Sequence, residues 1–168
     1  MRYVSLFRGI NVGGNHIIPM KDLRALHESL GLANVASVIQ SGNVVFDSDQ
    51  ESAALEQTIA DAVETQFGFR VPVLVRTADE IRAAFAACPF QPSAGYQPNW
   101  IAFLFMREGS GRELEAYDGS EKIYTGDRLA YIYYTDGMGR SKLNLERYLK
   151  TDWTVRNHNV ASKIQALL

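Results

Sequence analysis

The chain is poor in the residues that most directly announce a chemistry. Its 168 residues include one cysteine, Cys88, so no disulfide can close within it, and the expected setting is a reducing cytoplasm. No apolar run nears the ~20 residues of a bilayer-crossing helix. The opening segment, Met1 to Phe7, meets glycine too soon to read as a signal peptide. The three histidines, His16, His27 and His158, show no H-x-x-x-H spacing. With no C-x-x-C either, no metal site is expected. Ser41 and Ser141 lack a G-x-S-x-G elbow, and no carboxylate pair suggests acid–base work. Neither G-x-G-x-x-G nor Gly-Lys-Ser/Thr occurs, so no nucleotide cofactor is implied.

What the chain does have is ample apolar material. It is 46% hydrophobic and 21% charged, with a net charge of −2. That suffices for one core or two small packed halves and excludes a disordered chain. The charge is uneven: +2 over residues 1–46, −7 over 47–135 and +3 over 136–168. Both ends are mildly basic. Such a distribution can focus a small anion but supports broad nucleic-acid contact only weakly.

The periodicities predict an α+β chain. Residues 3–7 read as a strand and 19–30 as a helix, with Pro19 in its first turn and Gly31 past its end. Strands at 35–40 and 44–46 meet at Ser41-Gly42-Asn43. Ser48 and Glu51 suggest a capping box for a helix reaching Phe67, and 71–76 reads as a fourth strand. This β-α-β-β-α-β order over residues 1–76 fits a ferredoxin-like split βαβ subdomain. Residues 77–168 form a second small α/β subdomain, packed on the first. It opens with a helix capped by Thr77 and Glu80, followed by a proline-rich linker loop at about 89–99. A strand at 101–106, a hairpin of 121–125 with 128–134, and helices at 142–150 and 157–168 complete it. No internal repeat shows at the level of residues. His27 is expected at the edge of its helix's polar face.

Three polar segments stand out. Arg8-Gly9-Ile10-Asn11-Val12-Gly13-Gly14-Asn15-His16 joins a strand to a helix and can adopt backbone angles other sequences avoid. Its amides could form an anion nest beside Arg8 and His16; equally, it could be a wide turn. Asp136 to Lys142 is either a helix end favouring an anion, with Arg140 and Lys142 beside it, or a glycine turn with Ser141 as cap. In Thr154 to Asn159, Arg156 could grip a phosphate or carboxylate, Asn157 or Asn159 could cap a helix, and His158 could bind, titrate or simply be exposed. Tyr131 and Tyr133 share one strand face and Tyr134 takes the other. Tyr3, Ser5 and Phe7 share a face of the first strand, where aromatics could stack bases, but no RNA-binding consensus accompanies them.

Leu6 to Asn15, Pro19 to Arg24, Ile39 to Phe46 and Thr154 to Asn159 together resemble a bacterial family of uncharacterised cytosolic proteins, the domain of unknown function 1697. The resemblance spans nearly the whole chain and implies a two-part α/β protein with a ferredoxin-like N-terminal part. It implies no activity, cofactor or partner. The family more usually has tryptophan where this chain has His158, which argues against an essential catalytic role there.

The expected function is binding of a small anionic, phosphate- or nucleotide-like ligand in a composite polar cleft. Its contacts would come from Arg8, Asn11, Asn15, His16, Ser41, Asn43, Lys142, Arg156 and Asn157. Two alternatives stay open: an enzyme on a phosphorylated or nucleotide-like substrate with His16 or Asp136 as general base, and an assembly protein whose glycine loops shape an interface.

Overall fold

The computed structural model describes all residues, 1–168. The chain divides into two compact units: Met1–Arg82 with Lys163–Leu168, and Ala83–Ser162.

The first unit runs β1 (Arg2–Phe7), α1 (Met20–Ser29), β2 (Ala33–Ser37), β3 (Asn43–Asp47), α2 (Ser52–Phe67) and β4 (Val73–Thr77). The strands form one antiparallel sheet of order β2-β3-β1-β4. Period-two alternation places Tyr3, Phe7, Val44, Phe46, Val73 and Val75 in one core with Leu23 and Leu26 of α1 and Leu55, Ile59 and Val63 of α2. Tyr3 and Phe7 therefore sit under helices and are not an open stacking platform. Between them Ser5 meets His27, its Oγ 2.8 Å from Nε2. His27 is fully buried, against the expectation of a polar-face position. The reason is local: its Nδ1 reaches the Leu23 carbonyl, 2.7 Å away and one turn back, so both ring nitrogens are satisfied inside the core.

Helix α2 begins at Ser52, and its N-cap, Glu51, makes no side-chain cap bond. The anticipated Ser48–Glu51 box does not form, because Ser48 Oγ instead accepts the Gln50 amide at 3.1 Å. The box at Thr77 and Glu80 is present. The Glu80 amide donates to Thr77 Oγ1 at 3.0 Å, and Glu80 Oε2 accepts the Thr77 amide at 2.8 Å. It starts α3 (Ala78–Ala87), within which the two units divide.

The second unit continues with β5 (Ile101–Met106), β6 (Lys122–Gly126), β7 (Leu129–Tyr133), the short α4 (Leu145–Tyr148), β8 (Trp153–Asn157) and α5 (His158–Gln165). A 3-10 turn occupies Arg112–Ala116. Only four residues of the expected 142–150 helix are helical. Residues 154–157, read as a polar segment, belong to an edge strand. Ala102, Leu104, Met106, Ala130, Ile132 and Tyr134 form the core with Leu114, Leu145 and Leu149. On the other face of the sheet, Phe103 meets Phe85 of α3 at 4.9 Å between ring centroids, and the Tyr131 hydroxyl donates to the Ala84 carbonyl at 2.7 Å.

The second sheet is antiparallel with order β6-β7-β5-β8. Taken unit by unit, both sheets share one strand order. Alignment on the pairing registers sets Arg156 on β8 against Arg76 on β4. Both are buried, and each donates from Nη1 to the carbonyl of the preceding valine, at 3.1 Å for Arg76 and 2.9 Å for Arg156. The repeat is one of topology, carried by almost no shared residues, which is why the sequence conceals it.

Candidate functional site

The nine residues expected at a site fall in both units, six in the first and three in the second. In the first unit they gather on two loops. The β1–α1 loop makes a miniature hairpin. Val12 bridges Asn15, the Asn15 amide donates to the Val12 carbonyl, and the Asn11 amide donates to the His16 carbonyl, both at 3.1 Å. Gly13 and Gly14 form its tip at φ 61° and 75°, the geometry of a type I′ turn. Their amides are exposed and donate to no acceptor within the protein.

Asn11 fixes this loop. Its Nδ2 donates to the carbonyls of Ile18 (3.0 Å) and Gln40 (2.8 Å), and its Oδ1 accepts the Ile18 amide at 2.8 Å. The bond to Gln40 joins the early loop to the β2–β3 connection, residues 38–42. That connection is held by Asn43, whose Nδ2 donates to the Val38 carbonyl and Ser41 Oγ, each at 3.0 Å. Gly42, at φ 83°, supports the same junction. A Cβ there would lie 2.7 Å from Ile10 Cδ1 and 2.8 Å from Phe7 Cβ. Asn11 and Asn43 thus spend their amides on shape. Arg8 is half-buried at the loop's base, while Asn15 and His16 are exposed. The His16 ring stacks on Phe69 at 4.3 Å, and its Nδ1 lies 3.3 Å from the Gly9 carbonyl.

Two further features of these loops escaped the reading of the sequence. Ile39, a β-branched residue, holds φ 47°, a conformation such residues rarely adopt. Of six exposed large hydrophobic residues in the chain, three (Val12, Ile17 and Ile39) lie on these two loops. Val12, set between Asn11 and Gly13, was the one signal in the sequence, and nothing local marked Ile17 or Ile39.

In the second unit Lys142 is exposed. Arg156 is buried, and its Nη1 donates to Thr154 Oγ1 at 2.6 Å. Burial pulls its pKa down to about 10, so it stays charged at neutral pH. Asn157 Oδ1 accepts the Val160 amide at 2.9 Å and caps α5. His158 packs edge-on to Phe85 at 5.2 Å, and burial lowers its pKa. Asp136 is exposed beyond the end of β7. Ser141 Oγ donates to Glu121 at 2.6 Å and accepts the Leu143 amide at 3.1 Å.

A family model described as a protein of unknown function, DUF1697, matches residues 1–131. The chain belongs to the DUF1697 family. The match takes in both loops of the first unit and stops before β8. A solved structure, that of the conserved bacterial protein SP0830 from Streptococcus pneumoniae, is similar over 99% of this chain and 97% of that one, at 25% identity and a TM-score of 0.78. No curated protein matches. No helix of this DUF1697 chain is long and apolar enough to cross a membrane.

Proposed function

We propose that this DUF1697 protein binds a small anionic, nucleotide-like ligand on the joined loops 8–18 and 38–42 of its first unit. One observation carries the reading: the two loops that Asn11 ties together combine exposed glycine amides with half of the chain's exposed large hydrophobic residues. Exposed amides in left-handed conformation favour a phosphate. Arg8 and His16 belong to the same loop, where Arg8 adds positive charge and His16 a ring nitrogen able to hydrogen-bond. Val12, Ile17 and Ile39 offer apolar surface for the flat remainder of such a ligand. The left-handed Ile39, held at a cost of ~1–3 kcal/mol, is the kind of strain that gathers at binding loops. The element order and strand order of the first unit also support a ferredoxin-like assignment.

Calorimetric titration with inorganic phosphate, a nucleoside and the matching nucleoside monophosphate tests this. The monophosphate is expected to bind more tightly than either part, and the Gly13 and Gly14 amide resonances are expected to move. Arg8→Ala and His16→Ala should each weaken binding by about tenfold, the loss of one charge-assisted contact. Absence of binding, or resonance shifts confined to other segments, overturns the proposal.

A further inference from the structure

The four sheet edges are not treated alike. The register of strand β2 breaks between Ala33 and Ala36, and Asn34 turns to φ 50°. On β4 the outward Val75 amide is taken by Glu56 Oε2 at 2.8 Å and the Val75 carbonyl by Arg76. On β8 the Val155 carbonyl is taken by Arg156. These devices blunt an edge against pairing with another chain.

Strand β6 has none of them. Its five residues pair with β7 in unbroken register, Lys122 with Tyr133 through Gly126 with Leu129. It carries no proline and no bulge. The neighbouring bonds fix which backbone groups point outward. Arg128 O accepts the Met106 amide at 3.0 Å, and the Tyr134 amide donates to Trp100 O at 2.9 Å. The even-numbered residues of β7 therefore face β5 and the odd-numbered ones face β6. Lys122, Tyr124 and Gly126 spend their amides and carbonyls on β7. Ile123 and Thr125 direct theirs away from the sheet, where no protein group meets them.

We infer that β6 pairs antiparallel with β6 of a second copy, about a two-fold axis through Tyr124. The strand is self-complementary in that register. Ile123 lies opposite Thr125 of the other copy, and their outward groups make four hydrogen bonds. The two Tyr124 side chains meet on the axis as a close pair, the arrangement in which cross-strand aromatics interact best. Tyr124 is 56% exposed, with one edge already against Phe90 at 5.5 Å. Each Lys122 lies opposite Gly126 of the other copy and so next to its Asp127. Both charges are exposed, and the two-fold places one opposite-sign pair at each end. The product is a continuous eight-stranded sheet, with the four strands β6-β7-β5-β8 from each copy.

Sedimentation velocity on the full chain over a concentration series is the test. The expected result is a rise from the 18.8 kDa of one chain to twice that mass. Thr125→Pro removes an outward amide without touching the β7 ladder. Tyr124→Lys sets two like charges against each other on the axis. Each should weaken association by about tenfold or more, with circular dichroism unchanged. Lys122→Asp should weaken it too, and Lys122→Asp combined with Asp127→Lys should restore it. A mass of one chain at every concentration overturns the inference. So does a dimer whose dissociation constant is the same in the Tyr124→Lys protein. Should Thr125→Pro misfold, the charge-swap pair decides.

Discussion

His27 is a base enclosed by a core. Burial, opposed by its bond to the Leu23 carbonyl, pulls its pKa from 6.5 down to about 4. The folded protein holds the ring neutral where the unfolded chain protonates it. The contribution to stability is therefore intact above pH 6.5 and is lost as pH falls toward about 4, at roughly 1.4 kcal/mol per pH unit. Urea unfolding near pH 7 and again near pH 5 should show a loss of about 2 kcal/mol from this residue. His27→Gln should flatten that slope, even if it is less stable at neutral pH. Gly42 makes the second prediction at this scale. Its backbone is left-handed, and Ile10 and Phe7 atoms lie within 2.8 Å of where a Cβ would sit, so there is no room for a side chain. Gly42→Ala should cost about 2–4 kcal/mol, read as a lowered urea midpoint. The glycine was legible in the sequence as part of a turn. Its packing against Ile10 was not, because that contact joins segments about thirty positions apart.

At the level of elements, Glu56 protects the outer edge of β4. It accepts the Val75 amide at 2.8 Å and lies 3.7 Å from Arg76 Nη1. Glu56→Ala should destabilise the chain by about 3–5 kcal/mol, since a buried cation loses its counter-charge. Glu56→Gln should recover part of that by keeping an acceptor for the amide. The box at Thr77 gives a milder case. Thr77→Ala should cost about 1 kcal/mol, seen as a drop of a few degrees in Tm. That box was legible because its two residues lie three apart and bond each other. The one at Ser48 and Glu51 has the same spacing, but Ser48 turns back to Gln50. Strand β8 was missed for a different reason. Its alternation runs through Thr154 and Arg156, polar residues that are nonetheless buried, and a hydrophobic pattern cannot see a buried arginine. The candidate loops were found through their glycines and asparagines. That Asn11 and Asn43 would be consumed internally could not be read from composition, since all but one of their acceptors, the Ser41 hydroxyl, are backbone carbonyls.

For the molecule as a whole, the first unit includes residues 163–168. Arg2 donates to the Leu167 carbonyl from Nε at 3.3 Å and from Nη2 at 3.1 Å, and Arg82 Nη2 donates to the Leu168 carbonyl at 3.3 Å. Removing residues 163–168 should therefore loosen the first unit. Hydrogen exchange read by mass spectrometry should show faster uptake in peptides covering β1 and β2. The sequence suggested two halves in tandem, and that much of the organisation follows from where turns and strands alternate. The return of the chain's last segment to the first half leaves no trace in a local pattern. It also sets an order of events during synthesis. A ribosome completes residues 1–82 early, but the segment that finishes their unit emerges only after the 80 residues of Ala83–Ser162. The nascent first half must wait in an incomplete form while its neighbour is made, a delay in which chaperones find their substrate.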